Sequence, residues 1–218
     1  MFLIDTTTLT RSFSRTYAEE CALAFSAIDC VLNGEQAVYA STELTTGRRA
    51  FSVLREVGAT RAAELKTRLG EQGFVDRILS PNVDAAMAFA RRLHHSLGGN
   101  QLVITPAPFV APDWSQSEYL SFWETLIRTR IKEVYFNHGW EYSSGCTFEF
   151  LVAVDTGIPT YTADGQRLDA ATAISSIEEA VDSLGRDGLE SDRLVENVRA
   201  LRAAAPGSSR SETAVNNG

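Results

Sequence analysis

Short apolar runs alternating with helical stretches predict an α/β fold, a parallel sheet covered by helices on both faces. Three observations carry this. Four runs, Gln36–Ser41, Gln101–Thr105, Ile131–Phe136 and Ile158–Tyr161, are short and apolar enough to be buried strands. Helical spacing fills much of the chain between them. Asparagine, glycine and proline mark the joints, at Asn33-Gly34, Gly98-Gly99, Pro106-Pro108-Pro112 and Gly157.

The elements follow in order. Residues 1–34 form an N-terminal extension, helical over Ala18–Ala27, where Ala, Leu and Phe recur at helical spacing before Asn33-Gly34. After the first strand, Thr42–Arg49 is a polar loop. Ala50–Leu79 is helical in part, with Gly70 and Gly73 as interruptions. Pro81-Asn82 opens a clearer helix whose stripe is Val83, Ala86, Met87, Ala90 and Leu93. Beyond the second strand and its proline-rich loop, Ser115–Arg130 reads as a helix with Leu120, Trp123, Leu126 and Ile127 on its apolar face. The third strand leads into a polar loop, Asn137–Gly145, and a helix over Cys146–Val154. Ala170–Leu184 and Asp192–Ala203 complete the helices. Residues 35–204 are thus expected to be one flavodoxin/Rossmann-like three-layer sandwich, with an insertion at about 50–80. The polar stretch 205–218 is expected to be a disordered tail.

Composition narrows the function classes. Of 218 residues, 28 are acidic and 20 basic, a formal net charge of -8. Such a surface repels phosphate backbones and anionic headgroups, which argues against a nucleic-acid polymer or a membrane as partner. The hydrophobic content of 44% suffices for a sizeable core. Cys21, Cys30 and Cys146 form no CxxC pair and read as reduced thiols, so a cytoplasmic setting is expected. The N-terminus lacks the charged and apolar regions of a signal peptide. No HExxH or Cys/His cluster suggests a metal, and no GxGxxG or GxxxxGKS loop suggests a dinucleotide or NTPase site. No metal or other cofactor is expected.

In parallel sheets ligands bind at the carboxyl ends of the strands. The loops Thr42–Arg49, Pro106–Trp114 and Gly139–Glu149 are therefore expected to share one rim. The most informative stretch is Asn137-His138-Gly139-Trp140-Glu141-Tyr142-Ser143-Ser144-Gly145-Cys146-Thr147-Phe148-Glu149. It leaves a strand, turns and enters a helix. Free N–H groups at such a helix start could hold a phosphate or a sugar hydroxyl beside Ser143 and Gly145, and the same dipole favours an ionised Glu149. The plainer reading is an ordinary serine N-cap and a surface glutamate.

The pattern Gly-Trp-Glu-x-Ser-x-Gly-x-x-x-Glu, followed by Ala153 and Gly157-Ile158-Pro159, resembles the signature loop and helix of the nucleoside 2-deoxyribosyltransferase superfamily, including its deoxynucleoside monophosphate N-glycosidases. Val38–Arg48 is similar to that family's first strand and following loop, with Thr42-Glu43 where the family has Gly-Ser or Gly-Pro. Asn82–Phe109 is similar to its first helix and second strand. The resemblance implies that Glu149 is a nucleophile attacking the anomeric carbon, with Ser143 at the 5′ end of the substrate. It implies a nucleoside or nucleotide as small-molecule partner and a homo-oligomeric state. The family's helix aspartate falls on Glu124. Its strand aspartate falls on Lys132, with Glu133 beside it, so Glu124 is the first candidate for the acid that protonates the departing base.

Around this centre, Tyr39 is placed to position Glu149, and Gly47 and Arg48 to bind the sugar end, Arg48 through its planar fork. Arg48 reads equally well as a solvated loop arginine. Trp140 is expected on the pocket wall and Trp123 in the core. His138 is a rim residue; His94 and His95 are neighbours on a helix and cannot face one metal. Two functions stay open: cleavage or exchange of an N-glycosidic bond, and nucleotide binding without turnover.

Overall fold

The computed structural model describes residues 15–204. Helix α1 (Tyr17–Leu32) starts at a capping box, in which the Thr16 side chain accepts the Glu19 N–H and the Glu19 carboxylate accepts the Thr16 N–H. It ends at Asn33 in the left-handed conformation, as the Asn-Gly signal implies. Strand β1 (Ala37–Ser41) follows, then α2 (Arg48–Val57), α3 (Leu65–Phe74) and α4 (Ser80–Ser96). Next come β2 (Val103–Ile104), α5 (Gln116–Arg130), β3 (Ile131–Phe136), α6 (Ser144–Thr156), β4 (Thr160–Thr162), α7 (Ala170–Arg186) and α8 (Asp192–Ala204).

All four strands run parallel, in the order β2-β1-β3-β4. The fold is α/β. From β1 the chain steps one way to β2, then crosses back to β3 and on to β4. Right-handed crossovers therefore place helices on opposite faces. Strand alternation shows the consequence. Val38 and Ala40 pack with Phe89, Ala90 and Leu93 of α4, whereas Ala37 and Tyr39 belong to the larger core under α5 and α6.

Helix α6 is buried almost all round, which explains its lack of an amphipathic stripe. It packs against α5 on one side and α8 on the other. Helix α1 joins the same core: Phe25 stacks on Phe122, with ring centres 4.8 Å apart, and Asp29 pairs with Arg130 of α5. The N-terminal extension is in this part an outer layer of the sandwich. The expected tail at 205–218 lies outside the described residues.

Several boundaries differ from those the sequence predicts. Arg48 and Arg49 are not loop residues but the first turn of α2. Of the two expected interruptions in 50–79, Gly70 breaks the helical path (φ 71°), while Gly73 stays within the helix. Pro81 does not start a helix from a loop, because a π-helical turn over Val75–Leu79 runs directly into α4. Pro81, which has no N–H to donate, sits where the π-helical turn gives way to the α-helical ladder, a point at which the hydrogen-bond pattern is already interrupted. In α5 the buried residues are Phe122, Trp123, Leu126 and Ile127; Leu120 is only partly covered. No helix among the described residues is long and apolar enough to cross a membrane.

Candidate active site

Tyr39 and Ser41 lie two residues apart on β1, so both side chains leave the same face of the sheet. That face is covered by α6, and Glu149 on α6 meets both. The Tyr39 hydroxyl donates to Oε1 at 2.8 Å, and the Ser41 hydroxyl donates to Oε2 at 2.5 Å. Glu149 is only 6% exposed. A surface glutamate is therefore excluded.

Burial penalises its charged form and is the dominant influence on Glu149. The Ser41 and Tyr39 hydrogen bonds oppose it, and the carboxyl is pushed up to about 7. The neighbouring groups respond in kind. Burial, together with the Glu149 charge, drives the Tyr39 phenol well above its ordinary range, so it stays a neutral donor. Burial also pushes the Cys146 thiol up, one turn before Glu149, so it is no thiolate nucleophile.

Replacing Tyr39 by phenylalanine removes one donor to the ionised carboxylate. The Glu149 midpoint is expected to rise by on the order of one pH unit. A pH–rate profile of Tyr39→Phe checks this: activity near neutrality falls and returns at more alkaline pH. An unshifted profile would show that the phenol does not tune Glu149.

The start of α6 is built from hydroxyls. Ser143 is the N-cap, 3% exposed, and its Oγ accepts the Cys146 N–H. The Thr46 hydroxyl lies 3.2 Å from that of Ser143 and 3.5 Å from that of Ser144. Asn197 on α8 braces the same turn, donating to the Ser144 carbonyl and to Thr147 Oγ1. Gly145 sits in this first turn, where a Cβ would be only 3.8 Å from Ser143 Oγ, so packing alone does not demand glycine.

The loop after β1 is held from both sides. Asn82, 2% exposed at the start of α4, donates to the Leu44 carbonyl and accepts from Arg49. Glu43 folds back onto α2, and its Oε2 accepts the Arg48 N–H at 2.8 Å. A carboxylate thus occupies the start of α2, where the helix dipole favours an anion. Gly47 is required for this, because its φ is +120° and a Cβ there would come within 1.9 Å of Glu43 Oε2. Gly47→Ala is expected to destabilise the protein by more than about 1 kcal/mol, seen as a melting point lower by several degrees. An unchanged melting curve would contradict the contact.

Arg48 is held as well. Its guanidinium pairs with Glu141 at 2.5 Å and lies 4.9 Å from the centre of the Tyr142 ring. It reaches over Gly139 and links the two sides of the rim, while its side chain stays 59% exposed. A groove of about 590 Å³ opens beside it, between α2 and the start of α4, lined by Arg49, Ser52, Glu56, Arg77 and others, and not by Glu149. Its mixed charges give it no chemical direction, and the buried carboxylate remains the better marker of a site.

The structure brings together Glu149, Tyr39, Ser143 and Gly145, with Gly47 and Arg48 at the adjoining start of α2. It does not bring Glu124. That side chain pairs with Arg128, which also binds Asp155 near the end of α6. Asp155 lies six residues beyond Glu149, or about 9 Å along the helix and away from the rim. Lys132 and Glu133 fare no better, because they stand in the amino half of β3, about 13 Å and about 10 Å from Phe136 at its carboxyl end. Trp140 is no open pocket wall. It is 7% exposed and packed between Phe136 and Phe150, with ring centres 4.9 and 5.3 Å away. Trp123 is in the core as expected. His138 is exposed at the rim, 4.0 Å from Asp164.

Ser41, Thr46, Asn82 and Asn197 were not singled out from the sequence. Ser41 could have been, since it shares the period-two face of Tyr39. Among the described residues no group of three or more His, Cys, Asp or Glu is placed to hold a metal ion. The chain matches no protein-family model, no curated protein and no solved structure.

Proposed function

We propose that the protein cleaves or exchanges the N-glycosidic bond of a nucleoside or nucleoside 5′-monophosphate, with Glu149 as nucleophile. One observation carries this reading: a buried carboxylate at the carboxyl end of a parallel sheet, held by two hydroxyl donors and, among the described residues, by no cation. A structural glutamate in a core is ordinarily neutralised by a basic partner. A carboxylate kept partly desolvated, oriented at both oxygens and titrating near neutrality has what a nucleophile needs.

In the reaction one Glu149 oxygen attacks the anomeric carbon. The bond from that carbon to the base nitrogen breaks, its electron pair leaves with the base, and the base takes up a proton from water. The sugar is held as an ester of Glu149. Water then adds at the anomeric carbon, loses a proton and releases the free sugar, or a second base accepts the sugar instead. Tyr39 and Ser41 hold the carboxylate on its line of attack, and the hydroxyls of Thr46, Ser143 and Ser144 suit the polar 5′ end of the sugar. The resemblance of Gly139–Glu149 to the deoxyribosyltransferase signature supports the same assignment.

A second reading, nucleotide binding without turnover, is favoured by one fact: Glu124 stands away from the site, paired with Arg128. Incubation with a panel of ribo- and deoxyribonucleosides and their monophosphates, followed by chromatography of free base, separates the two. Release from one substrate establishes the glycosidase reading. No release from any, even with an acceptor base present, leaves binding alone.

A further inference from the structure

Two side chains at the carboxyl ends of neighbouring strands are buried without a partner. Thr42, 5% exposed, directly follows β1, and Thr105, 8% exposed, directly follows β2. Neither hydroxyl oxygen makes a hydrogen bond among the described residues. Burying a hydroxyl unpaired is unfavourable, and isolated cases in folded proteins call for a physical reason. Valine would fill either position with the same shape at no such cost.

The register relates the two to Glu149. Val38 pairs with Val103 and Tyr39 with Ile104, so Thr105 falls beside Ala40 and Thr42 two residues further along. By the same alternation both lie on the α4 side of the sheet, whereas Tyr39 and Ser41 hold Glu149 on the α6 side. Their α-carbons are then about 8 Å apart, one strand spacing across and two residues along. Thr42 directly follows Ser41, which holds Glu149, and Thr105 lies one strand away at the same end of the sheet.

We propose that Thr42 and Thr105 recognise the leaving base, an inference that rests on Glu149 attacking the anomeric carbon. A substrate with its 5′ end at the start of α6 and its anomeric carbon at Glu149 extends its base over the end of β1 toward β2. A heterocyclic base presents hydrogen-bond donors and acceptors along its edge, and a threonine hydroxyl can serve either. The two hydroxyls thus determine which base is accepted. They act on binding and do not take part in the chemical step.

The test compares Thr42→Val, Thr105→Val and the double variant with the parent protein, and uses the four common 2′-deoxynucleosides as probes. Each variant without ligand is expected to melt at or above the parent temperature. Each is expected to lose about five- to tenfold in kcat/KM for the preferred nucleoside, mainly through KM, and serine at the same position is expected to restore it. A lower melting point with unchanged kcat/KM would mean a purely structural hydroxyl and overturn the inference. So would valine variants with unchanged kcat/KM and unchanged melting.

Failure of the glycosidase reading is seen separately. If the parent releases no base but a deoxynucleoside raises its melting temperature, and the double variant loses that rise, base recognition stands and cleavage does not. If no deoxynucleoside is cleaved or raises the melting temperature of the parent, the recognition site is refuted as well.

Discussion

Replacing Glu149 by glutamine is expected to lower base release at least about a thousandfold while the protein remains folded. Glutamine keeps the shape and one acceptor oxygen, so the Ser41 and Tyr39 hydroxyls can reorient and retain partners. What it loses is the negative oxygen that forms the bond to the anomeric carbon. The loss should fall on kcat, since the amide leaves the sugar and base contacts in place. A companion measurement asks for the ester itself. Acid-quenched wild-type protein should show an added mass equal to one glycosyl group, absent from Glu149→Gln. A variant with near-parental turnover would refute the assignment outright, since no other described side chain at the site is a buried carboxylate with two hydroxyl donors.

The second large effect concerns pH, and it acts on rate and stability in opposite senses. Burial raises the Glu149 carboxyl from its ordinary value of 4.5 to about 7 in the folded protein. The nucleophile is the deprotonated form. The kcat/KM of the parent is therefore expected to rise through about pH 7 and level off above it, because the free enzyme's ionisation controls that parameter.

For stability the folded protein binds the proton more tightly than the unfolded chain. The contribution is thus fully present below the unfolded value of 4.5 and is lost as pH rises through about 7. The displacement corresponds to roughly 3 kcal/mol. Glu149→Gln is neutral at every pH, so it should match the parent near pH 4 and exceed it increasingly toward pH 8. Denaturant unfolding at both values checks this. A stability difference that does not vary with pH would mean that Glu149 is not desolvated as the structure has it. The site would then be one where function and stability conflict, a glutamate retained although a neutral side chain folds better.

The sequence by itself determined the parallel α/β sandwich. Four apolar runs, separated by helical periodicity and punctuated at Asn33-Gly34 and Gly157, leave few other arrangements, and local pattern is enough to read them. It also singled out Glu149, Tyr39 and Ser143, because the loop–helix signature and the end of a strand are contiguous in the chain. Glu124 is a candidate only through the same resemblance. Spacing along α5 does not say which end of α6 that side chain meets, and the Arg128–Asp155 pairing that holds it away is a contact between helices.

Trp140 reads as a wall residue in a polar loop, but Phe136 and Phe150 enclose it only once β3 and α6 have packed. The same holds for Glu43. In the chain it is an acid in a polar loop, whereas in the fold it covers the start of α2 over Gly47. Which side chains lie along one strand or one helix turn is set by backbone periodicity and can be read directly. Which of them are desolvated, paired or left without a partner, as Thr42 and Thr105 are, depends on contacts between residues distant in sequence, and only the tertiary structure decides it.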